Sequence, residues 1–317
     1  MSEKNNSCSF RTSIGGQALM EGILMRGPKQ QAIVCRTKDG LVEKTEELKF
    51  IKDKYPILGW PLIRGCATFL DSMVKGMQAL TYSAELIPPE ELGEPDKLDK
   101  WINDHFEAEK AQKLIIGTAV VMGIALSVFL FIFLPAFAVG IIKPLTANYV
   151  IRNLSEGLVR VVILLCYMWL CTRVPDVKRL FAYHGAEHKT IFCYEQGLEL
   201  TVDNVRKQSR FHPRCGTSFL LVVVVVSILV NSVVRLDNTF ARMGCHLLLL
   251  PVVVGISYEI NRWCGKHDNW LSAILSAPGK WLQHMTTNEP DDGMIECAIR
   301  AMELVIPDER GSDEWGN

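Results

Sequence analysis

The residues best able to do chemistry lie in one polar segment, residues 175–197. His184 and His188 are four positions apart, one turn of an α-helix, so both imidazoles can reach one ion at about 2.0 to 2.1 Å from each nitrogen. Glu187 lies beside them and completes the pattern H-x-x-E-H, in which a glutamate acts as general base at a metal centre. The spacing therefore predicts a metal site with Glu187 as its catalytic residue.

Further ligands are available in FHPRCGTSF, residues 211–219, where His212 and Cys215 precede a long apolar run. A helix starting there lowers the pKa of the Cys215 thiol through its dipole and free N–H groups, as metal binding requires. We expect His184, His188, His212 and Cys215 to hold a divalent metal ion, with zinc as the candidate. Glu195 and Glu259 are alternative ligands. The competing interpretation is structural: the histidines hydrogen-bond one another and nearby carbonyls.

A helix must position these groups. Residues 175–197 begin with Asp176 as a cap and stop at a glycine, which predicts a helix. Its apolar positions form a stripe whose middle is occupied by the two histidines and Glu187, so all three point toward a buried face. The stripe consists of Val177, Leu180, Phe181, Ile191 and Phe192.

Long apolar runs indicate an α-helical integral membrane protein with about four transmembrane helices. Of the 317 residues, 49% are hydrophobic, and the formal net charge is only −1. No feature of the chain indicates nucleic acid, and the ten cysteines include no C-x-x-C pair, which favours reduced thiols. Runs this long favour membrane spans. The predicted spans are residues 114–142, 158–170 (extending back to 151 if Arg160 snorkels or faces protein), 218–234 and 245–260.

The orientation follows from the basic residues between these spans. Loops 143–157 and 235–244 carry two Lys or Arg each, whereas loop 172–217 carries eight. The excess predicts that loop 172–217 is cytoplasmic, together with both termini, in the bacterial cytoplasmic membrane.

The remaining segments are predicted as follows. Residues 1–55 form a β-rich cytoplasmic element, with a hairpin through Asp39-Gly40 and a third strand over 15–25. Residues 56–87 form an amphipathic segment at the membrane surface, and residues 88–113 an acidic linker with a short helix over 101–106. Residues 261–306 form interfacial and amphipathic helices, whose Trp263, Trp270 and Trp281 suit the headgroup level. Residues 307–317 are predicted to be disordered.

Four blocks of the sequence resemble a known family. GGQALMEGILMRGP (15–28), YHGAEHKTI (183–191), HPRCGTSFL (212–220) and WLQHMTTNEPDD (281–292) are similar to the YqhQ-like family of bacterial membrane proteins. That family has no assigned function, and the resemblance implies a metal-dependent enzyme. By position it also implies that the functional residues are His184, Glu187, His188, His212 and Cys215.

Together these features predict a multi-pass membrane protein with a metal-dependent, peptidase-like hydrolase site at the cytoplasmic face. The expected partners are the lipid bilayer and a protein on the cytoplasmic side. A second hypothesis is a non-catalytic scaffold or regulator whose His, Glu and Cys cluster is structural. A third is a small oligomeric transporter, although the sequence lacks interrupted helices in matching halves.

Overall fold

The computed structural model describes residues 10–49, 55–88, 108–142, 148–236, 238–267, 269–309 and 311–315. The chain divides into two compact units. The first comprises Met1–Leu86, Met168–Val223 and Pro251–Asn317. The second comprises Ile87–Tyr167 and Val224–Leu250. Residues 89–107 of the predicted acidic linker, including the short helix over 101–106, lie outside the described residues, whereas residues 108–113 belong to a helix.

The described part of the chain is mainly helical. A 3₁₀ turn, Pro56–Gly59, precedes the first helix, and a π-helical turn, Phe129–Phe133, joins the second to the third. The helices are α1 Ile63–Glu85, α2 Ala108–Val128, α3 Leu134–Ile142, α4 Tyr149–Cys171, α5 Pro175–Glu195, α6 Val202–Arg206, α7 Gly216–Ser232, α8 Thr239–Lys266, α9 Trp270–Thr286 and α10 Asp292–Glu303.

A four-stranded antiparallel meander forms the N-terminal part of the first unit. The predicted β-rich element is confirmed, with the hairpin turn at Lys38–Asp39 and Gly40 opening the last strand at a φ of 125°. The single strand predicted over 15–25 is wrong. The segment forms two strands because Met20 and Glu21 make a tight turn, in which Glu21 adopts a φ of 48°. The strands are β1 Gly15–Leu19, β2 Gly22–Arg26, β3 Gln30–Thr37 and β4 Gly40–Glu47.

Both faces of this sheet are covered, because successive side chains of a strand point to opposite sides. Ile23 and Met25 of β2 pack in a core with Tyr183 of α5 and Met302 of α10. On the other face, Leu24 packs in a cluster of buried residues that includes Ala79 of α1. The sheet therefore holds α5, the helix with the candidate site, against a rigid support.

Three helical segments are long and apolar enough to cross a membrane: Leu114–Gly140, Tyr149–Cys171 and Phe240–Lys266. The sequence predicts four spans. The fourth, α7, is helical as expected and not a buried strand, but it has only 17 residues. The predicted span 245–260 is part of a longer helix that continues through Pro251.

The second unit buries a cluster of ionisable side chains. Glu156 Oε1 lies 3.1 Å from Arg160 Nη2 and 3.2 Å from His246 Nδ1, and Glu156 Oε2 lies 3.3 Å from Arg242 Nε. Arg160 Nε also donates to the carbonyl oxygen of Phe131 at 2.8 Å. Pro135, four residues on, has no N–H with which to donate to that carbonyl in an α-helical pattern. Arg160 therefore faces protein, one of the two alternatives raised for it.

The C-terminal segment is ordered over Gly311–Trp315, in contrast to the disorder predicted for 307–317. Thr12 and Glu314 form an antiparallel bridge. Asp313 is fully buried and accepts hydrogen bonds from Thr12 Oγ1 at 2.6 Å and Tyr194 Oη at 3.0 Å. These partners lie far away in sequence, so the local composition of the tail does not reveal them.

Candidate metal centre

The candidate site is built on α5, whose bounds confirm the predicted helix. Pro175 occupies the first turn, and the helix ends just before Gly197, which has a φ of 67°. The prediction of Asp176 as the cap is wrong, because Val174 holds the N-cap position and Asp176 lies inside the first turn. Gly185 lies on the face toward the segment after α9, where an added Cβ would come within 2.0 Å of the Asn288 carbonyl oxygen. This close approach brings the end of α9 to His184.

Three of the predicted ligands converge. His184 Nε2 lies 3.1 Å from Cys215 Sγ, and the rings of His184 and His188 have centroids 4.3 Å apart. One ligand atom from each of His184, His188 and Cys215 lies within 4.8 Å of the other two. Tetrahedral zinc would separate a nitrogen and a sulfur ligand by about 3.6 Å, so small side-chain movements suffice to admit an ion.

The imidazole rings are oriented by their second nitrogens. His184 Nδ1 contacts the Thr286 carbonyl oxygen at 2.8 Å, and His188 Nδ1 contacts the Arg210 carbonyl oxygen at 2.5 Å. A carbonyl only accepts, so each Nδ1 carries a proton, and in the neutral ring, which is the form that binds metal, Nε2 presents the lone pair. Bonds of this kind fix the tautomer of metal-binding histidines.

Glu187 is buried beside these groups. Its Oε1 accepts a hydrogen bond from the Gly16 backbone N–H of β1 at 3.0 Å. Glu187 Oε2 and His188 Nε2 are buried and have no hydrogen-bond partner among the described residues. Leaving such atoms unsatisfied costs roughly 1–3 kcal/mol each, which a bound ion or water would offset. The donor set therefore fits a zinc-type ion.

Electrostatics inside the cluster favour a thiolate. Burial alone would raise the pKa of Cys215, but the charges of His184 and His188 outweigh burial and bring this pKa well below 9.0. Burial lowers the pKa of His184, but the nearby Cys215 thiolate dominates and raises it to about 9. Burial raises the pKa of Glu187. A deprotonated sulfur is the form that binds metal.

His212 belongs to a neighbouring network. Its Nε2 lies 3.6 Å from Glu195 Oε2, and its Nδ1 lies 3.4 Å from the Arg214 backbone nitrogen. Burial lowers the pKa of His212 to about 4, although Glu195 opposes this shift. The structure therefore does not bring His212 into the three-residue cluster, although its ring lies 5.6 Å from that of His188. Its assignment as a ligand stays a prediction.

The two alternative ligands also have other partners. Glu195 is fully buried, where it forms an ion pair with Arg214 and accepts a hydrogen bond from the Thr12 N–H at 2.9 Å. Glu259 pairs with Arg64 of α1. Sequence reasoning missed the contributions of Gly16, Arg210 and Thr286, because each acts through its backbone and leaves no side-chain signal.

Comparisons with known proteins place the chain in a family. Residues 60–308 match a family model described as "Protein of unknown function (DUF1385)". The chain is 32% identical over 296 residues to a protein of Bacillus subtilis (strain 168) described as "Uncharacterized protein YqhQ", with 92% of each chain covered. No solved structure matches. The extent of both matches shows that this chain belongs to the YqhQ-like DUF1385 family, whose function is unknown.

Proposed function

We propose that the chain is a multi-pass protein of the bacterial cytoplasmic membrane that acts as a metal-dependent hydrolase, with its site on the cytoplasmic side. The observation that carries this proposal is the convergence of His184 Nε2, His188 Nε2 and Cys215 Sγ beside the buried carboxylate of Glu187. Two imidazoles, one thiolate and an open fourth position are characteristic of catalytic zinc sites, whereas structural sites are closed by four protein ligands.

His184, His188 and Cys215 would hold the ion. A zinc ion in this position supplies a Lewis acid that polarises a substrate carbonyl and lowers the pKa of water. Glu187 acts as the general base: its Oε1 is fixed by the Gly16 N–H, and its Oε2 has no partner among the described residues. That oxygen can take a proton from the attacking water and return it to the leaving group.

The contact between the two ends of the chain supports four membrane crossings. Thr12 pairs with Glu314, so the segments before the first and after the last apolar helix lie on the same side. This requires an even number of crossings, and α7 is the remaining apolar helix of the part of the chain that the structure describes. Its 17 residues span about 26 Å, close to the thickness of a thin hydrocarbon core. The basic loop 172–217 then lies in the cytoplasm.

A second candidate is a metal-free enzyme with a cysteine nucleophile. The 3.1 Å contact between His184 Nε2 and Cys215 Sγ favours it, because a nucleophile and its base lie at hydrogen-bond distance in such sites. A non-catalytic scaffold or regulator, whose His, Glu and Cys cluster is structural, is the third candidate. A small oligomeric transporter is the fourth candidate, because buried ionisable side chains in membrane segments, such as those around Glu156, often mark a transport pathway.

Substitution of Glu187 distinguishes a catalytic metal site from a structural one. Glu187→Gln should keep the ion but abolish turnover, so the substrate should accumulate in membranes of cells that carry this variant as their sole copy. Comparative mass spectrometry of lipids and membrane peptides detects that accumulation. Glu199→Gln, an exposed change of the same chemistry, is the matched control. If Glu187→Gln membranes match wild type while His184→Ala membranes differ, the metal is structural and the hydrolase proposal fails.

A further inference from the structure

A polar pocket in the first unit lies apart from the metal centre. Its cavity volume is about 80 Å³, and it is partly open to solvent. None of His184, Glu187, His188 and Cys215 lines it. Its polar lining includes Arg11, Arg214, Lys280, Asn269, Ser272 and Ser276.

Three basic side chains line the pocket. Arg214 pairs with Glu195, which is fully buried and is not part of the lining. Lys280 is half-buried and forms no ion pair with any residue that the structure describes. Arg11 is held at the wall by a hydrogen bond from its Nη1 to the Gly265 carbonyl oxygen at 3.2 Å. No acidic side chain lines the pocket among the described residues. The pocket therefore favours an anion.

The types of donor group in the pocket indicate which class of anion fits it. Guanidinium groups bind phosphate oxygens in a planar, bidentate manner, and an ammonium adds a compact point charge. The Ser276 hydroxyl is a further polar group of the wall, whereas Asn269 and Ser272 are already used in the capping box of α9. This combination matches a phosphate ester better than a halide.

The helix that lines the pocket also carries exposed apolar residues. The helix α9 supplies four lining residues, and its large apolar side chains lie outside the lining. Trp270 is 74% exposed and Ile274 is 59% exposed. Exposed tryptophan and aliphatic residues next to basic groups are typical of a helix at the boundary between headgroups and acyl chains.

We propose that this pocket binds the phosphate group of an anionic lipid, with the apolar residues of α9 against the acyl chains. Arg11, Arg214 and Lys280 hold the phosphate, and Trp270 and Ile274 contact the lipid. The inference rests on the proposed membrane location but not on the metal or on hydrolysis. If the pocket does not bind an anionic lipid, the proposed hydrolysis still stands. If the hydrolysis proposal fails, the lipid site still stands.

Native mass spectrometry of the detergent-purified full chain tests the inference. The probes are phosphatidylglycerol and phosphatidylcholine with identical acyl chains. Wild type should retain phosphatidylglycerol preferentially, and Lys280→Gln should weaken that retention about fivefold, the effect of one basic residue near an anionic surface. Lys207→Gln removes an equal charge from an exposed position outside the pocket and should behave as wild type.

A competition with millimolar inorganic phosphate identifies the source of the anion. Displacement of phosphatidylglycerol by phosphate supports recognition of the headgroup phosphate. Equal retention of the two lipids, or an unchanged preference in Lys280→Gln, overturns the proposal. Binding of inorganic phosphate that depends on Lys280, without preference between the lipids, overturns the lipid assignment in favour of a soluble phosphate compound.

Discussion

His188 Nδ1 lies 2.5 Å from the carbonyl oxygen of Arg210, and this contact determines which ring nitrogen can bind a metal ion. The proton of the neutral ring must lie on Nδ1, so in that form Nε2 has a free lone pair inside the protein. His184 repeats the arrangement with the Thr286 carbonyl oxygen. A purely structural histidine pair would use these lone pairs for hydrogen bonds, whereas His188 Nε2 has no such bond to the described residues.

The support of Glu187 by β1 gives the first prediction. An added Cβ at Gly16 would lie 2.6 Å from the Leu24 carbonyl oxygen and 3.1 Å from Glu187 Cδ. Gly16→Ala should therefore push β1 from β2, displace the carboxylate and destabilise the protein by roughly 1–3 kcal/mol. Thermal unfolding in detergent measures the loss. Gly15→Ala is the matched control, because nothing lies within 4 Å of its added Cβ. Equal midpoints for the two variants would show that Gly16 does not limit the packing.

The position of His212 gives the second prediction. Its ring nitrogens face Glu195 and the Arg214 backbone, whereas Cys215 Sγ contacts His184. His212→Gln should therefore keep most of the bound ion, and Cys215→Ser should lose it. Cobalt substitution provides the readout, since a thiolate ligand gives a charge-transfer band in the near ultraviolet. Loss of the band in His212→Gln and its survival in Cys215→Ser would reverse the ligand assignment.

The buried charges of the second unit give the third prediction. Glu156 is the carboxylate shared by Arg160, Arg242 and His246. Glu156→Gln leaves two buried guanidinium charges without their counter-ion and should cost about 3–5 kcal/mol. The measurement is the thermal midpoint in detergent. Leu158→Ala, in the same helix at a side chain that is 65% exposed, should change the midpoint little. A midpoint for Glu156→Gln equal to that of Leu158→Ala would mean that the cluster does not stabilise the fold.

The pair between Glu21 and Arg179 gives the fourth prediction. Hydrogen bonds from Arg179 to Glu21, outweighing burial, lower the pKa of this carboxyl below 4.5. Because the folded-state pKa is depressed, the stabilisation is complete above about pH 4.5 and is lost as the pH falls through the lower folded value. Arg179 is about half exposed, so the pair contributes about 0.5–1 kcal/mol.

Arg179→Gln should therefore lower the unfolding midpoint at pH 7, and the difference from wild type should shrink toward pH 3. Glu21→Gln is the control, and in its background the Arg179 substitution should have little effect at either pH. A difference that grows on acidification would contradict the assigned shift.

The parts of the fold that depend on residues close together in the sequence could be predicted from local sequence patterns. The helix over 175–197 follows from Pro175 at its start, Gly197 just beyond its end and its apolar stripe, and the four-residue spacing of His184 and His188 places their rings together. The β-hairpin follows from Asp39-Gly40, because a tight turn needs a residue that tolerates positive φ. The convergence of Cys215 with these histidines could be raised as a hypothesis, since both segments lie in one polar loop.

Contacts between distant segments could not be predicted in this way. Asp313 is ordered by Thr12 and Tyr194, and Glu259 pairs with Arg64, a residue far away in the sequence. Glu156 lies in an apolar helix whose sequence gives no sign that Arg242 and His246 approach it. Such pairs depend on tertiary packing, which one sequence does not encode in any local pattern.

Metal content of the purified full chain tests the central claim most directly. Wild type, dialysed to remove loosely bound ions and measured by inductively coupled plasma mass spectrometry, should hold about one divalent ion per chain. The double substitution His184→Ala with His188→Ala should hold none. A wild-type protein that stays metal-free after incubation with zinc, or a double variant that keeps the ion, would contradict the assignment of these residues to a metal centre.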